Sequence, residues 1–325
     1  MSVSYPLVQC LADGEFHSGE VLGENLGVTR AAIWKQVQAL KVSGLDVFSV
    51  PGKGYCLSQP LELLEKSLIC ERLSQIAPPF DGVIDILNVV DSTSNYLRRI
   101  CAHKSTECFH VCFAEYQTSG RGRRGRIWVS PYGSNLCFSL HHKMNRSPDS
   151  LGGLSLAVGV AILRVLQSAK IPDLGLKWPN DIYHKGEKLA GALIELTGEM
   201  DGSTEMIIGI GLNLCMSDSA ADSIDQPWTD LSACRERPGR NRLASDLIES
   251  IVSVLTCYEQ DGLAPFVQEW EENDIYSGLS VCLQLHDQSV TGIACGIDQY
   301  GAIKLNIDGK LNHYHVGDIS LRAVQ

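Results

Sequence analysis

The run VCFAEYQTSGRGRRGRIWVSPYGSNLCFSL, from Val111 to Leu140, places a glycine- and arginine-rich loop between two strand-like segments. Gly120, Gly122 and Gly125 have the GxGxxG spacing of dinucleotide-binding loops, but such a fold requires a helix after the loop. Here a Pro, a Gly and alternating apolar residues follow instead, and they predict a loop and a strand. This order argues against a nicotinamide-binding fold. A kinase is also disfavoured, because no HRD or DFG segment follows the loop.

The loop is basic in an acidic chain. Six basic and no acidic residues lie between Gln117 and Pro148, whereas the 325-residue chain has 27 Lys plus Arg, 38 Asp plus Glu and a net charge of −11. The net charge argues against a protein that coats nucleic acid or anionic membrane. The loop is a solvated basic loop, a segment that contacts RNA or DNA, or a clamp for phosphates. The clamp is favoured, because glycines let backbone N–H groups approach an anion and arginines bind phosphate bidentately.

The region around the loop, from about residue 67 to 275, alternates strand-like and helical runs and predicts a mixed α+β domain. Its longest apolar stretch, Leu154–Leu163, is half of the roughly 20 residues that a membrane-spanning helix needs, so we expect a buried helix. The polar segment Met216–Trp228 predicts a loop.

Residues 1–62 predict a winged helix-turn-helix. Gly27 ends a short helix, Thr29 can cap the next, and the turn Pro51–Gly54 separates two strand-like runs. The candidate DNA contacts on the third helix and at the wing tip are Thr29, Arg30, Trp34, Lys35, Gln38, Lys41 and Lys53. A protein-interaction module of the same shape stays open, because residues 1–60 hold four basic and five acidic side chains.

Residues 276–325 contain short alternating runs separated by glycine-containing turns, which predict a small antiparallel barrel. The chain has twelve cysteines but no CxxC pair, so neither a metal site nor a disulfide framework is expected. No secretory signal opens the sequence, and we expect reduced thiols in the cytoplasm.

Several motifs resemble those of the biotin–protein ligases: DSTSNY (91–96), EYQTSGRGRRGRIW (115–128), SPYGSNL (130–136), KWPNDIY (177–183), KLAGALIE (188–195) and GIGLN (209–213). With the helix-turn-helix, the chain resembles the bifunctional form that is also a repressor of the biotin operon. The resemblance implies a central mixed α/β ligase domain of the class II synthetase-like type over 67–275 and a C-terminal SH3-like β-barrel over 276–325.

The same resemblance implies a two-step reaction. Biotin and ATP, with Mg²⁺, form biotinyl-5′-AMP, and a lysine of a biotin carboxyl carrier protein then accepts the biotinyl group. In this family the adenylate also favours a homodimer that binds operator DNA, and no membrane is involved.

The resemblance further implies roles for individual residues. Catalytic roles are implied for Lys188, Arg123 and Arg121. Biotin contacts are implied for Ser92, Thr93, Ser94, Gln117, Arg121, Gly122, Arg123 and Lys188. ATP contacts are implied for Arg124, Trp128, Asn180, Asn213, Trp228 and Arg322.

Each role has an ordinary structural alternative. Ser92 and Thr93 could cap a helix, Lys188 could be a surface lysine, and Asn180 could be a turn residue. Two other functions also stay open: a ligase for lipoate or octanoate, and a ligand-sensing repressor without enzyme activity. The helix-turn-helix and KWPND motif disfavour the first, and Lys188 with the arginine loop disfavours the second.

Overall fold

The computed structural model describes residues 3–76, 78–102, 108–198, 202–217, 224–234, 236–285, 289–315 and 320–323. Within these residues the chain forms an N-terminal helical unit with a hairpin, a large mixed sheet with helices, and a C-terminal antiparallel sheet. The predicted fold class is confirmed.

The N-terminal unit consists of α1 (Tyr5–Leu11), α2 (Gly19–Leu26), α3 (Arg30–Val42) and the hairpin of β1 (Val47–Val50) and β2 (Gly54–Leu57). Gly27 caps α2 at φ 65°, in the left-handed region that favours glycine. The hydroxyl of Thr29 accepts the N–H of Ala32 at 3.2 Å and so begins α3. Both residues therefore do what the sequence predicted.

The central sheet has the order β3-β4-β5-β9-β8-β7-β6, and only β3 and β4 are parallel. Its strands are β3 (Gly82–Val90), β4 (Phe109–Gln117), β5 (Asn135–Met144), β6 (Leu174–Lys177), β7 (Asp181–His184), β8 (Glu187–Gly198) and β9 (Thr204–Asn213).

Helices cover both faces of this sheet. One face packs against α4 (Lys66–Leu73), α6 (Leu154–Ser168) and α7 (Arg240–Asp261), and α8 (Ala264–Glu272) packs on α6 and α7. The apolar stretch predicted to be a buried helix lies in α6 and is part of this core. The other face carries α5 (Thr93–Cys101), whose Leu97 and Cys101 pack on Cys112 and Ile207 of the strands.

The C-terminal unit is a five-stranded antiparallel sheet in the order β13-β12-β11-β10-β14. Its strands are β10 (Ser280–Gln284), β11 (Ser289–Ile297), β12 (Ile303–Ile307), β13 (Lys310–Tyr314) and β14 (Ser320–Ala323). The twelve cysteines of the chain are free in this structure.

The N-terminal unit is anchored to the central sheet by the segment that precedes β5. Tyr132 is fully buried in the apolar core of the N-terminal unit, and its N–H donates to the carbonyl of Ser43 at 3.0 Å. In addition, Arg240 of α7 forms a buried ion pair with Glu115 of β4 at 2.8 Å. The junction is therefore packed and hydrogen-bonded rather than a free linker.

Candidate active site

Glycines form the floor of the site on the sheet face that carries α5. Gly211 of β9 pairs with Gly191 of β8 and with Cys137 of β5, and Gly209 pairs with Ser139. A Cβ at Gly211 would lie 2.2 Å from Cε2 of Trp128, so only glycine lets the indole rest on the strand. The motifs GIGLN and KLAGALIE thus supply a side-chain-free surface beneath the loop.

A buried polar group lies where α5 begins. Thr93 donates its N–H to Oε1 of Gln117 at 3.0 Å, and its hydroxyl lies 2.7 Å from that of Ser139. The Ser94 hydroxyl lies 2.9 Å from the same Ser139 oxygen. Ser92 is buried beside them, and its side chain makes no capping hydrogen bond to α5. The structure therefore brings these four predicted biotin contacts together, and the capping alternative does not account for Ser92.

The arginine loop folds back on itself between Gly120 and Trp128. The N–H of Trp128 donates to the carbonyl of Gly120 at 2.9 Å, and that of Gly122 donates to Arg126 at 2.8 Å. Arg124 has φ 59°, and this left-handed turn redirects the chain between the two contacts. The order strand, loop, strand is the one predicted, so the dinucleotide-binding alternative is excluded on the fold.

Two loop arginines reach neighbouring elements. Arg121 pairs with Glu195 of β8 at 2.8 Å and also donates to the side-chain oxygen of Asn95. Arg123 donates to Oδ1 of Asn180 at 3.2 Å, and Asn180 donates in turn to the carbonyl of Ala192. These contacts hold the loop against β8, while Arg124 is exposed.

Lys188 lies at the other end of the glycine floor. Its Nζ is 2.7 Å from Oδ1 of Asp181 and 5.6 Å from the centre of the Trp128 ring. Only 14% of the Lys188 side chain is exposed, so it is not an ordinary surface lysine. Opposing charge and low exposure fix an ammonium group directly beside the arginine loop.

The segment 227–229 runs alongside Lys188. The N–H of Lys188 donates to Pro227, and its carbonyl accepts the N–H of Thr229 at 2.9 Å. Asn213 donates from β9 to the carbonyl of Thr229 at 3.0 Å. Trp228 is therefore held beside Lys188 and is half-buried. Residues 218–223 of the predicted polar loop lie outside the described residues.

Arg322 belongs to the C-terminal sheet. It lies on β14 opposite Cys282, in the C-terminal sheet. Its side chain lies outside the described part of the chain, so its predicted contact with ATP stays a prediction.

The pKa values of two side chains near the site are shifted from their ordinary values. Burial raises the pKa of the Cys137 thiol, which lies under Trp128 and accepts a hydrogen bond from Ser130 at 3.3 Å. Hydrogen bonding from Arg99 holds the pKa of Asp91, just before α5, well below its usual range. Cys137 is thus a neutral packing group, and Asp91 is an anion tied to α5.

Sequence reasoning missed the partners of the predicted residues: Ser139, Asp181, Glu195 and the floor glycines Gly191, Gly209 and Gly211. Asp181 belongs to the motif KWPNDIY, and the glycines belong to KLAGALIE and GIGLN. These motifs were therefore a signal for them in the sequence. Ser139 stands only on an apolar-looking strand, and no sequence signal marked it.

Among the described residues no group of three or more His, Cys, Asp or Glu side chains could hold a metal ion. Mg²⁺ prefers several oxygen ligands and is commonly held by a few carboxylates plus substrate phosphates. The part of the chain that the structure describes thus contains no such cluster for Mg²⁺.

The DNA-binding candidates lie on α3, at its N-terminal cap and at the hairpin tip of the N-terminal unit. Arg30, Lys35 and Lys41 of α3 are exposed, Gln38 is half-buried, and Trp34 is 55% exposed. Lys53 at the hairpin tip is also exposed and lies 5.6 Å above the ring of Phe16. Thr29 already has a structural role as the cap of α3.

Three family models match the chain. The model described as biotin/lipoate A/B protein ligase family covers residues 86–213, an HTH domain covers 6–56, and the biotin protein ligase C terminal domain covers 276–322.

Individual relatives agree with these matches. The bifunctional ligase/repressor BirA of Escherichia coli is 42% identical over 325 residues, which span all of this chain and 98% of the relative. A biotin–[acetyl-CoA-carboxylase] ligase of Mycobacterium tuberculosis is 31% identical, over 64% of this chain and 77% of that protein. The structure of a biotin protein ligase from Aquifex aeolicus in complex with biotin and ATP superposes with a TM-score of 0.63 at 26% identity, covering 74% of this chain and 99% of that one.

Proposed function

Because the chain belongs to the biotin–protein ligase family, in its bifunctional ligase/repressor form, we propose that it activates biotin with ATP and biotinylates a carrier protein. In the first step a carboxylate oxygen of biotin attacks the α-phosphorus, and pyrophosphate leaves. In the second step the amine of a carrier lysine attacks the acyl carbon, AMP leaves, and the amine loses a proton.

The observation that carries the proposal is the position of Lys188, which is largely shielded between Asp181 and Trp128 and lies next to the arginine loop. Both substrates are anions, so their approach requires nearby cations. Lys188, Arg121 and Arg123 supply them, and one donor aimed at developing charge is typically worth about 3–4 kcal/mol. Holding the carboxylate in line with the phosphorus supplies a further ~7–11 kcal/mol. No protein nucleophile is required, because the substrate carboxylate is the nucleophile.

Biotin is assigned to the buried polar end of the floor. The hydroxyls and amide of Ser92, Thr93, Ser94 and Gln117 suit an uncharged ureido ring, since they both donate and accept hydrogen bonds. Arg121, Gly122 and Arg123 close over it, and Lys188 meets its carboxylate.

ATP is assigned to the neighbouring end. Trp128 and Trp228 border Lys188 and offer aromatic faces, Asn180 contacts Arg123, and Asn213 fixes the segment that bears Trp228. Arg124 and Arg322 complete the assignment as phosphate-side and C-terminal contacts. Mg²⁺ is proposed to accompany ATP on its phosphate oxygens and water, since the described side chains form no cage.

The N-terminal unit is assigned to repression. Its exposed Arg30, Lys35, Lys41 and Lys53 suit contacts with the phosphates or base edges of operator DNA, and the adenylate serves as the corepressor. A homodimer is proposed because two linked domains on paired half-sites gain affinity through effective concentration. We assign 1–62 to DNA binding, 67–275 to catalysis and 276–325 to the C-terminal barrel, in a cytoplasmic protein.

Exchange of pyrophosphate into ATP tests the first step directly. The full chain is assayed with biotin, lipoate, octanoate or no acid, and only biotin should support exchange. Exchange with lipoate or octanoate would reassign the substrate while keeping the chemistry. No exchange with any acid would leave a ligand-sensing repressor. Lys66→Ala, an exposed lysine outside the site, is the matched control for Lys188→Ala.

A further inference from the structure

The exposed face of α3 has an aromatic centre. The helix packs through Ile33, Val37 and Leu40, which are fully buried. Trp34 lies about a quarter turn around the helix from this buried stripe and is 55% exposed. Because residues four apart share a helix face, Arg30 and Gln38 flank Trp34, and Lys41 lies two turns further along. An indole thus stands in the middle of the polar and basic face.

The chemistry of the indole limits what it can recognise. Arg and Lys pair with guanine, and Asn and Gln pair with adenine, through hydrogen bonds in the major groove. Indole has one N–H donor and no acceptor, so it cannot form a bidentate pair. The apolar feature that the major groove offers is the 5-methyl group of thymine.

The position of Trp34 on the helix agrees with a base contact. In a helix-turn-helix the N-terminal part of the second helix meets base edges. Trp34 is the fifth residue of α3, whereas Lys41 stands near the C-terminal end. The exposed lysines suit contacts with DNA phosphates. Arg30, Trp34 and Gln38 are therefore the candidates for contacts with base edges.

We propose that Trp34 recognises a thymine in each operator half-site by covering its 5-methyl group. The proposal rests on the repressor function proposed above and adds the base that this helix selects. When DNA binds, the indole is transferred from water into the major groove. The contact is therefore apolar and depends on one methyl group.

Replacing thymine by deoxyuridine tests the contact, because it removes the methyl group and keeps every hydrogen-bonding atom. The full chain, loaded with biotin and ATP, first selects duplexes from a random pool. Affinities of the selected duplex are then measured by fluorescence anisotropy at one fixed salt concentration. Replacing the contacted thymine in a single half-site should weaken wild-type binding about four-fold, and replacing it in both half-sites about fifteen-fold, as expected from ~0.8 kcal/mol per buried methyl or methylene.

Trp34→Ala should bind the selected duplex more weakly and show no response to deoxyuridine at that position. Trp34→Phe should keep part of the response, because phenylalanine also covers a thymine methyl. Leu311→Ala, 54% exposed in the C-terminal sheet, is the matched control and should respond like wild type. Unchanged thermal unfolding midpoints would show that all three variants fold.

Two results would overturn the proposal: wild type that ignores deoxyuridine at every thymine, or Trp34→Ala that responds as strongly as wild type. In both cases DNA is still bound, so the repressor function stands. If wild type selects no duplex at all, the repressor function itself fails, and the thymine contact fails with it.

Discussion

Lys188 Nζ lies 2.7 Å from Oδ1 of Asp181, and both side chains are largely buried. Asp181 and Gly191 are paired residues of β7 and β8, and a Cβ at Gly191 would lie 3.1 Å from that carboxylate oxygen. The aspartate therefore holds the ammonium group in place over a floor without side chains. Under the proposed function, a substrate carboxylate would meet a cation whose position is fixed before binding, which would reduce the ordering cost of the reaction.

Lys188→Ala should lower biotin-dependent pyrophosphate exchange by about 10²–10³-fold, the usual cost of one donor aimed at developing charge. DNA binding by the chain without ligands should change far less, because Lys188 lies on β8 of the central sheet and not in the N-terminal unit. An equal loss of both activities would indicate misfolding instead.

The same substitution leaves the buried carboxylate of Asp181 without its cation, which typically costs about 3–5 kcal/mol of folding free energy. Adding Asp181→Asn to Lys188→Ala should therefore restore much of the thermal unfolding midpoint without restoring exchange. Recovery of exchange in the double variant would show that the lysine acts only through stability.

Gly211→Ala should displace Trp128 from the glycine floor of the site. The new methyl group would lie 2.2 Å from Trp128, so the indole must leave the floor. Overpacking of this kind costs about 1–3 kcal/mol, and we expect a lower unfolding midpoint and a KM for ATP raised at least ten-fold. Gly159→Ala is the control, because its methyl would meet the nearest atom at an ordinary 3.5 Å.

A second variant separates packing from binding. Combining Gly211→Ala with Trp128→Ala gives the methyl group room, so the unfolding midpoint should rise again. The KM for ATP should stay high if Trp128 contacts the nucleotide. A normal KM in this double variant would remove Trp128 from the proposed ATP contacts.

Local signals predicted the local structure well. Gly27 and Thr29 delimit α2 and α3 because a left-handed cap and a side-chain cap each act within one turn. The apolar run Leu154–Leu163 forms most of a buried helix, since its composition alone requires burial. The predicted biotin contacts Ser92, Thr93 and Ser94 lie together at the start of α5 because they are adjacent in the sequence.

The sequence did not predict side-chain contacts between residues that are far apart in the chain. Ser139 meets Thr93 and Ser94 across 46 and 45 positions, and Glu195 meets Arg121 across 74. These contacts depend on the register of distant strands, which no local pattern specifies. Tyr132 is similar: it stands in a predicted loop of the ligase region, yet it fills the core of the N-terminal unit.

Limited digestion with trypsin should report ligand binding at the arginine loop. Arg124 and Arg126 are exposed, and the loop is anchored mainly by half-exposed groups such as the Arg121–Glu195 pair. Phosphate and biotin should add contacts to these arginines, so biotin plus ATP should slow cleavage within 121–126 at least several-fold. Cleavage that is equally fast with and without both substrates would contradict closure of the loop.

The variant Glu195→Gln tests, in the same digestion, whether the Arg121–Glu195 ion pair anchors the loop. It removes the carboxylate that holds Arg121, so cleavage of the empty chain should become faster. Protection by biotin plus ATP should persist, because the substrates replace Glu195 as the anionic partner. Cleavage after Arg242, an exposed arginine on α7, serves as an internal reference that ligands should not change.

Asp274 should make the fold less stable as the pH rises. Burial raises its pKa from 3.8 to about 6, although its carboxylate accepts the N–H of Tyr276 at 3.0 Å. The folded chain thus binds a proton that the unfolded chain releases, so stability is full below pH 4 and is lost as the pH passes through 6. Two pKa units correspond to about 3 kcal/mol. Asp274→Asn should therefore unfold at a higher temperature than wild type at pH 7–8 and at nearly the same temperature at pH 4. The exposed Asp149→Asn is the control, and a pH-independent difference between Asp274→Asn and wild type would refute the titration.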